Sequence, residues 1–256
     1  MESERQRALA AWLARRRGDY GFDAPYVPAI LGAIGIASLA LAVIFATVLG
    51  NAIGAAIWLV YGAFFLLSMA SYVYTTRAGK FRVWAELLAS LGLRGDERVL
   101  DLGCGRGAVL LMAAELVPQG KATGVDLWKT SDQSGNALEV TRRNAEREGV
   151  ADRVELATAD MRALPFEDAS FDLVVSSLAI HNIPDAAGRA RAIDEAARVL
   201  KPGGRLLIAD IRAARQYVER LQGLGMSDVR ARTLDWRFWY GGPWVATTLV
   251  SATKPA

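Results

Sequence analysis

The residues of this 256-residue chain best suited to chemistry lie in Asp101-Leu102-Gly103-Cys104-Gly105-Arg106-Gly107. An apolar run that ends in an acid and continues into alternating glycines lets the backbone turn tightly and approach a ligand with no Cβ in the way. That suits a nucleoside-bearing ligand. Asp126 closes a second apolar run, where a carboxylate can accept both hydroxyls of a ribose. Asp160-Met161 follows a third, where the carboxylate can accept from an adenine amino group while the thioether packs on the ring. The glycines alone are ambiguous, because Gly103, Gly105 and Ala108 also satisfy the looser G-x-G-x-x-A dinucleotide fingerprint, and Asp126 would serve NAD as well. Asp160-Met161 discriminates better. The only histidine, His181, sits in Ser176-Ser177-Leu178-Ala179-Ile180-His181-Asn182 and is by residue type the candidate general base; a hydrogen bond to its own loop is the alternative.

Those residues need an α/β frame. From Arg98 the chain alternates short β-branched runs with helical patterns, which argues for a parallel sheet covered by helices on both faces. Strands are expected at 98–102, 122–126, 154–158, 171–176 and 205–209, and helices at 108–116, 136–148, 189–200 and 213–224. Two last runs, 227–234 and 244–253, have no helix between them and should pair as a hairpin. Ligands of such sheets collect at the carboxyl ends of the strands, near the point where strand order reverses, and the motifs fall there. The 128–136 segment, with Lys129, Asp132, Gln133 and Asn136, is long and polar enough to fold over a ribose, although Asn136 also suits a helix cap.

Several motifs occur in order: Val99 to Gly107, Gly124-Val125-Asp126, Ala159-Asp160-Met161, Leu164-Pro165-Phe166 before Phe171-Asp172-Leu173-Val174, and Arg198-Val199-Leu200-Lys201-Pro202-Gly203-Gly204. On these, residues 96–253 resemble a class I S-adenosylmethionine (SAM)-dependent methyltransferase of the small-molecule branch that includes quinone and tocopherol methyltransferases. The resemblance implies a Rossmann-like seven-stranded sheet with a C-terminal antiparallel strand, SAM as cofactor and S-adenosylhomocysteine as product. It implies that the glycine loop, with Asp101, Gly103, Cys104, Gly105 and Gly107, holds the methionine part, Asp126 the ribose and Asp160 with Met161 the adenine, with Leu127 and Ser176 also binding the cofactor. It also implies that the loop bearing His181 and Asn182 faces the methyl group, and that the segment with Tyr72, Tyr74 and Lys80 forms a lid on the substrate pocket, with a plain membrane anchor as the alternative for those three. Trp239, in the aromatic turn from Trp236 to Trp244, is a further acceptor-side candidate, with membrane contact and plain core as alternatives. Methyl transfer is an in-line displacement that demands alignment and exclusion of water more than many catalytic groups.

Ala24 to Tyr74 contains no charged residue. A crossing helix needs about 20 residues, so two are expected, near 27–49 and 52–72, broken at Gly50-Asn51 into a hairpin. Arginines flank both outer ends, which places both termini and the catalytic domain in the cytoplasm by the positive-inside rule. Tyr20, Tyr26, Tyr72 and Tyr74 fit a headgroup-level belt, and Ser38, Ala42, Ala46 and Gly50 form a small-residue stripe. A signal peptide and a buried hairpin of a soluble protein are the competing readings. Residues 3–17 suggest a short amphipathic helix on the membrane surface, with Leu9, Trp12 and Leu13 on one side; a solvated basic tail is the alternative. The expected organisation is 1–23 interfacial, 24–74 a transmembrane hairpin, 75–95 a linker or lid helix and 96–256 the methyltransferase domain.

The net charge of +3 is small, and the basic residues cluster beside the apolar segment, a pattern for anionic headgroups rather than nucleic acid. No Asn/Asp-Pro-Pro-Tyr/Phe sequence follows the fourth strand, as amino-methylating DNA enzymes of this fold would show. The single cysteine and single histidine argue against an intrachain disulfide or a multi-ligand zinc site, and no metal is expected. The expected partners are a lipid bilayer and a lipophilic small molecule or lipid headgroup. The alternatives are a soluble acceptor or a protein, with the hairpin as a tether, and a non-catalytic SAM-binding membrane module.

Overall fold

The computed structural model describes residues 2–256. Its frame is a seven-stranded sheet in the order β3-β2-β1-β4-β5-β7-β6. The strands are β1 (Arg98–Leu102), β2 (Lys121–Asp126), β3 (Val154–Thr158), β4 (Phe171–Ser177), β5 (Leu200–Asp210), β6 (Ser227–Thr233) and β7 (Thr248–Thr253). β1 to β5 are parallel to one another, whereas β7 runs antiparallel between β5 and β6. The central strands read as near-continuous Val/Leu/Ile runs because helices cover both faces. Leu100, Leu102, Val174, Leu206 and Ile208 enter one buried cluster while Val99, Leu173, Val175, Leu207 and Ala209 enter the other. That alternation is the period of two of a strand buried on both sides.

The helices are α1 (Glu2–Leu13), α2 (Tyr26–Thr47), α3 (Ala52–Tyr74), α4 (Lys80–Ser90), α5 (Ala108–Leu116), α6 (Leu138–Glu148), α7 (Ala186–Val199) and α8 (Ala214–Gly223). β1 pairs with β2 on one side and β4 on the other, so strand order reverses at its end, and the glycine loop leads from there into α5.

α2 and α3 are long and apolar enough to cross a membrane. Asn51 caps α3 by accepting from Gly54 N at 2.9 Å, and Gly50 supplies the left-handed φ of 61° that the turn requires. Gly32, Gly35, Ser38 and Ala42 of α2 and Gly54, Gly62 and Ser68 of α3 are buried, with Gly32 against Met69, Gly35 against Leu66, Gly62 against Leu39 and Gly54 against Phe45. The small-residue stripe is therefore displaced toward the start of α2: Ala46 and Gly50 face outward, because Phe45 fills the space over Gly54 and Leu66 and Leu39 lie against Gly35 and Gly62. α3 does not stop at the domain border. It continues through a π-helical turn, Thr75–Gly79, straight into α4.

Two expectations for the N-terminal part are corrected. Leu13 is fully buried and Leu9 half-buried where α1 packs on α4, but Trp12 points outward. Leu9 and Leu13 stand four residues apart on one helix face, and Trp12 lies about 100° round from Leu13. Tyr20 and Tyr72 are buried and hydrogen-bonded inside the protein, leaving Tyr26 as the exposed member of the expected belt.

Candidate active site

The glycine loop forms one side of a cavity at the carboxyl ends of the parallel strands. Gly103 has φ 71° and its α-carbon lies against Ala179, so a Cβ there would collide with that side chain. Gly103 N and Cys104 N donate to Val125 O at 2.8 and 3.1 Å, which ties the loop to β2. Asp126, at the end of β2, accepts from Gly105 N at 2.9 Å, Trp128 N at 2.6 Å and Asn136 Nδ2 at 3.1 Å. It therefore shapes the loop as well as lining the cavity. Asn136 is no helix cap: Ala137 occupies that position on α6, and Asn136 turns back to Asp126.

Asp101 is buried with Oδ1 unpaired, and burial, reinforced by the charge of Asp126, pushes its carboxyl up to about 7. Asn136 Oδ1 is likewise buried without a partner. Two acceptors without donors, both on the wall of one cavity, suit a ligand rich in N–H and O–H groups. Burial raises the Cys104 thiol well above its ordinary value, so this cysteine packs rather than reacts. Asp160 and Met161 line the cavity beyond β3. Asp160, however, already accepts from the Arg162 fork at 2.6 and 3.0 Å and from Arg162 N at 2.9 Å, and the fork holds its carboxyl below the usual range.

Several expected site residues sit elsewhere. Gly107 opens α5 behind the loop, against Leu111 and Thr141. Ser176 is buried and donates to Leu102 O at 2.8 Å, joining β4 to β1; the cavity residue is Ser177, whose Oγ accepts from Trp84 Nε1 at 2.9 Å. His181 lies off the cavity wall. Its backbone N donates to Asp210 Oδ2 at 3.1 Å and its Nδ1 lies 2.5 Å from Asp210 Oδ1, though out of line for a hydrogen bond, so the ring faces the end of β5 while Asn182 faces the cavity. Tyr72 donates to Asp23 O at 2.9 Å, Tyr74 stacks on Trp236, and the Trp239 carbonyl accepts from Ser71 and Thr75 at 3.2 and 2.7 Å. All three stand behind the cavity at the base of the hairpin.

The opposite wall comes from the N-terminal part of the chain: Asp23, just before α2, and Lys80, Phe81 and Trp84 on α4. Lys80 is 4% exposed, and its Nζ donates to both Asp23 oxygens at 2.7 and 2.8 Å. Tyr240 Oη at 2.7 Å and Gln133 Nε2 at 3.2 Å also donate to that carboxylate. A buried ion pair persists only when its remaining lone pairs are filled, and here the neighbours fill them. Residues 16–24 reach this point as a strap across the glycine loop. Arg17 N and Gly18 N donate to Glu148 Oε1, Asn144 bonds Asp19 in both directions and Arg106 O, and Phe22 and Ala24 pair with Ser134 and Asp132. Lys129, Asp132 and Gln133 line the cavity as the polar 128–136 segment suggests. Asp23, Phe81 and Trp84 were not legible as site residues, because an isolated acid and a helical aromatic pair carry no motif.

Residues 99–204 match the family model for a methyltransferase domain. The chain carries a class I methyltransferase fold. The matched domain is similar to the demethylmenaquinone methyltransferase of Lactiplantibacillus plantarum, 37% identical over 131 residues that make up 50% of this chain and 52% of that protein. It is equally similar to the 27-O-demethylrifamycin SV methyltransferase of Amycolatopsis mediterranei, 38% identical over 131 residues, 50% of this chain and 44% of that protein. The chain spans about half the length of the curated relatives it matches. Among solved structures, geranyl diphosphate C-methyltransferase from Streptomyces coelicolor A3(2), determined with S-adenosyl-L-homocysteine, superimposes with a TM-score of 0.55 at 19% identity, covering 67% of this chain and 78% of that one. SAM is the cofactor of this fold. The unpaired oxygens of Asp101 and Asn136, the glycine loop and Asp126 fit its donor-rich ends, the methionine ammonium and the ribose hydroxyls.

Proposed function

We propose that this protein is a membrane-anchored methyltransferase that moves the SAM methyl group to a lipophilic, quinone-like small molecule at the cytoplasmic face of a membrane. One observation carries the reading: a single cavity has the glycine loop on one wall and, on another, Asp23 and Lys80, which flank the two ends of the apolar hairpin. An acceptor dissolved in the bilayer would meet the cofactor site at the point where the helices leave the domain. The demethylmenaquinone methyltransferase relative supports a lipophilic ring as acceptor. The arginines around the hairpin's outer ends support the cytoplasmic orientation.

SAM supplies an electrophilic methyl group on a sulfonium. The chain's own residues position and desolvate. Phe81, Trp84, Leu178 and Met161 give the cavity apolar walls, which exclude water and favour an aromatic or isoprenoid acceptor. Lys80, locked by Asp23, places a cation at the wall beside them and suits an acceptor bearing a hydroxyl or phenolate oxygen.

The test is calorimetric SAM binding to detergent-purified protein, wild type against Asp126→Ala, followed by labelled-methyl transfer into a membrane lipid extract. SAM binding that is lost in the variant, with label entering an apolar product, is the expected result, and mass analysis of that product names the acceptor and the atom. Binding with label entering only water-soluble products would replace the lipophilic acceptor by a soluble one. Binding without any transfer would point to a SAM-sensing module.

A further inference from the structure

We propose that the turn between β6 and β7, Trp239 to Ala246, is itself embedded in the membrane and forms, with α2 and α3, a third membrane-inserted element; this rests on the reading of the hairpin as transmembrane. The turn leaves the sheet and lies along the hairpin. Trp244 stacks on Phe64 with ring centroids 4.9 Å apart, and Gly241 lies against Ser68 of α3 and Leu31 of α2. Its base meets the end of α3: Trp236 stacks on Tyr74, the Trp239 carbonyl accepts from Thr75, and Gly79 in the π-helical turn abuts the Arg237 carbonyl so closely that no Cβ would fit. The turn thus follows α3 from Thr75 back to Phe64. At 1.5 Å per residue, Phe64 lies about 15 Å from Tyr74, roughly half the thickness of a hydrocarbon core.

Charge and polarity follow the same depth scale. Asp235, Arg237 and Glu86 form an ion-pair cluster past the end of α3, with Glu86 on α4. Beyond it, no charged residue occurs from Phe238 to Thr253. Trp244, at the far end of the turn, is 59% exposed and continuous with the exposed apolar faces of α2 and α3. Non-helical backbone survives at membrane depth only when its polar groups are satisfied internally. Here Tyr240 N donates to Val245 O at 3.0 Å, Gly241 N to Trp239 O at 3.1 Å and Val245 N to Gly242 O at 3.1 Å, while Trp239 and Ala246 form a bridge. Acyl chains are the occupant that this apolar surface fits.

The experiment places an environment-sensitive fluorophore on full-length protein in phosphatidylcholine vesicles, at Trp244→Cys, at Ile57→Cys on α3, and at Glu155→Cys on β3, the sheet edge farthest from β6. Cys104 is buried and stays unlabelled. A nitroxide carried on the lipid acyl chain should quench the label at 244 to within about twofold of that at 57, with the label at 155 unaffected. Quenching at 57 with none at 244 overturns the inference and leaves the hairpin reading intact. No quenching at either overturns both. Each labelled variant is first checked for wild-type SAM binding, which excludes a misfolded domain.

Discussion

Asp101 is held where two requirements oppose one another. Burial at the end of β1 favours the neutral acid, whereas a bound ammonium favours the carboxylate. Its carboxyl is raised to about 7 in the folded protein against 3.8 unfolded. The folded state therefore binds the extra proton between those values, and its ionisation penalises the ligand-free fold as pH rises from about 4, reaching full size above about 7. Two outcomes follow: ligand-free wild type loses thermal stability across that window relative to Asp101→Asn, and SAM affinity rises through neutral pH in the wild type but is flat in the variant. Thermal melts and calorimetry across pH 5 to 8.5 read both. His181 teaches a different lesson: the only imidazole of the chain sits on the expected loop, yet its ring turns to Asp210.

Among the elements, the strap of residues 16–24 decides the most. It joins α1 to α2, and in passing it hydrogen-bonds α6 and the 131–136 segment and pairs Asp19 with Arg106 of the glycine loop. Asn144 is its central clamp, because one side chain holds both backbone groups of Asp19 and the carbonyl of Arg106. Asn144→Ala leaves those groups unpaired, at about 1–3 kcal/mol for the buried ones. The expected result is faster tryptic cleavage after Arg15 to Arg17 and weaker SAM binding, with the sheet intact by circular dichroism. Unchanged protease sensitivity would show that the strap is held elsewhere. The π-helical turn matters equally. A wide turn between α3 and α4 resets the helical phase, and Lys80, Phe81 and Trp84 then face the cavity.

For the whole molecule, hairpin and domain are one mechanical unit. α3, the π-helical turn and α4 form a continuous helix, and the counterion of Lys80 comes from the other side of the hairpin. Removing residues 1–74 would therefore strip Lys80 of Asp23 and take away the strap and the Asp23 side of the cavity, leaving Lys80, Phe81 and Trp84 uncovered. Such a truncation is expected to lose SAM binding as well as turnover. A cleaner test of the membrane's contribution keeps the chain whole and changes its surroundings. Turnover of the acceptor identified from the lipid extract should rise on transfer from detergent to lipid nanodiscs while SAM affinity stays constant, read by labelled-methyl transfer and calorimetry. Equal turnover in both would count against delivery through the bilayer.

What the amino-acid sequence determined by itself was local and repetitive. Period-two and period-3.6 patterns placed β1, β3 and α5 at their observed bounds, the uncharged stretch marked the hairpin, and the glycine loop with Asp126 and Asp160 located one wall of the cavity. These features are set by neighbours along the chain. Only the tertiary structure decided the other wall. The pairing of Asp23 with Lys80, the strap bonded to Arg106 through Asp19 and to Ser134 through Phe22, and the turn lying on α3 join residues separated by tens to hundreds of positions, through single side chains without any repeat. Such contacts depend on where the sheet and the hairpin set two segments in space. For the same reason Tyr20 and Tyr72, aromatic residues beside or at the end of the uncharged stretch, became buried hydrogen-bond donors.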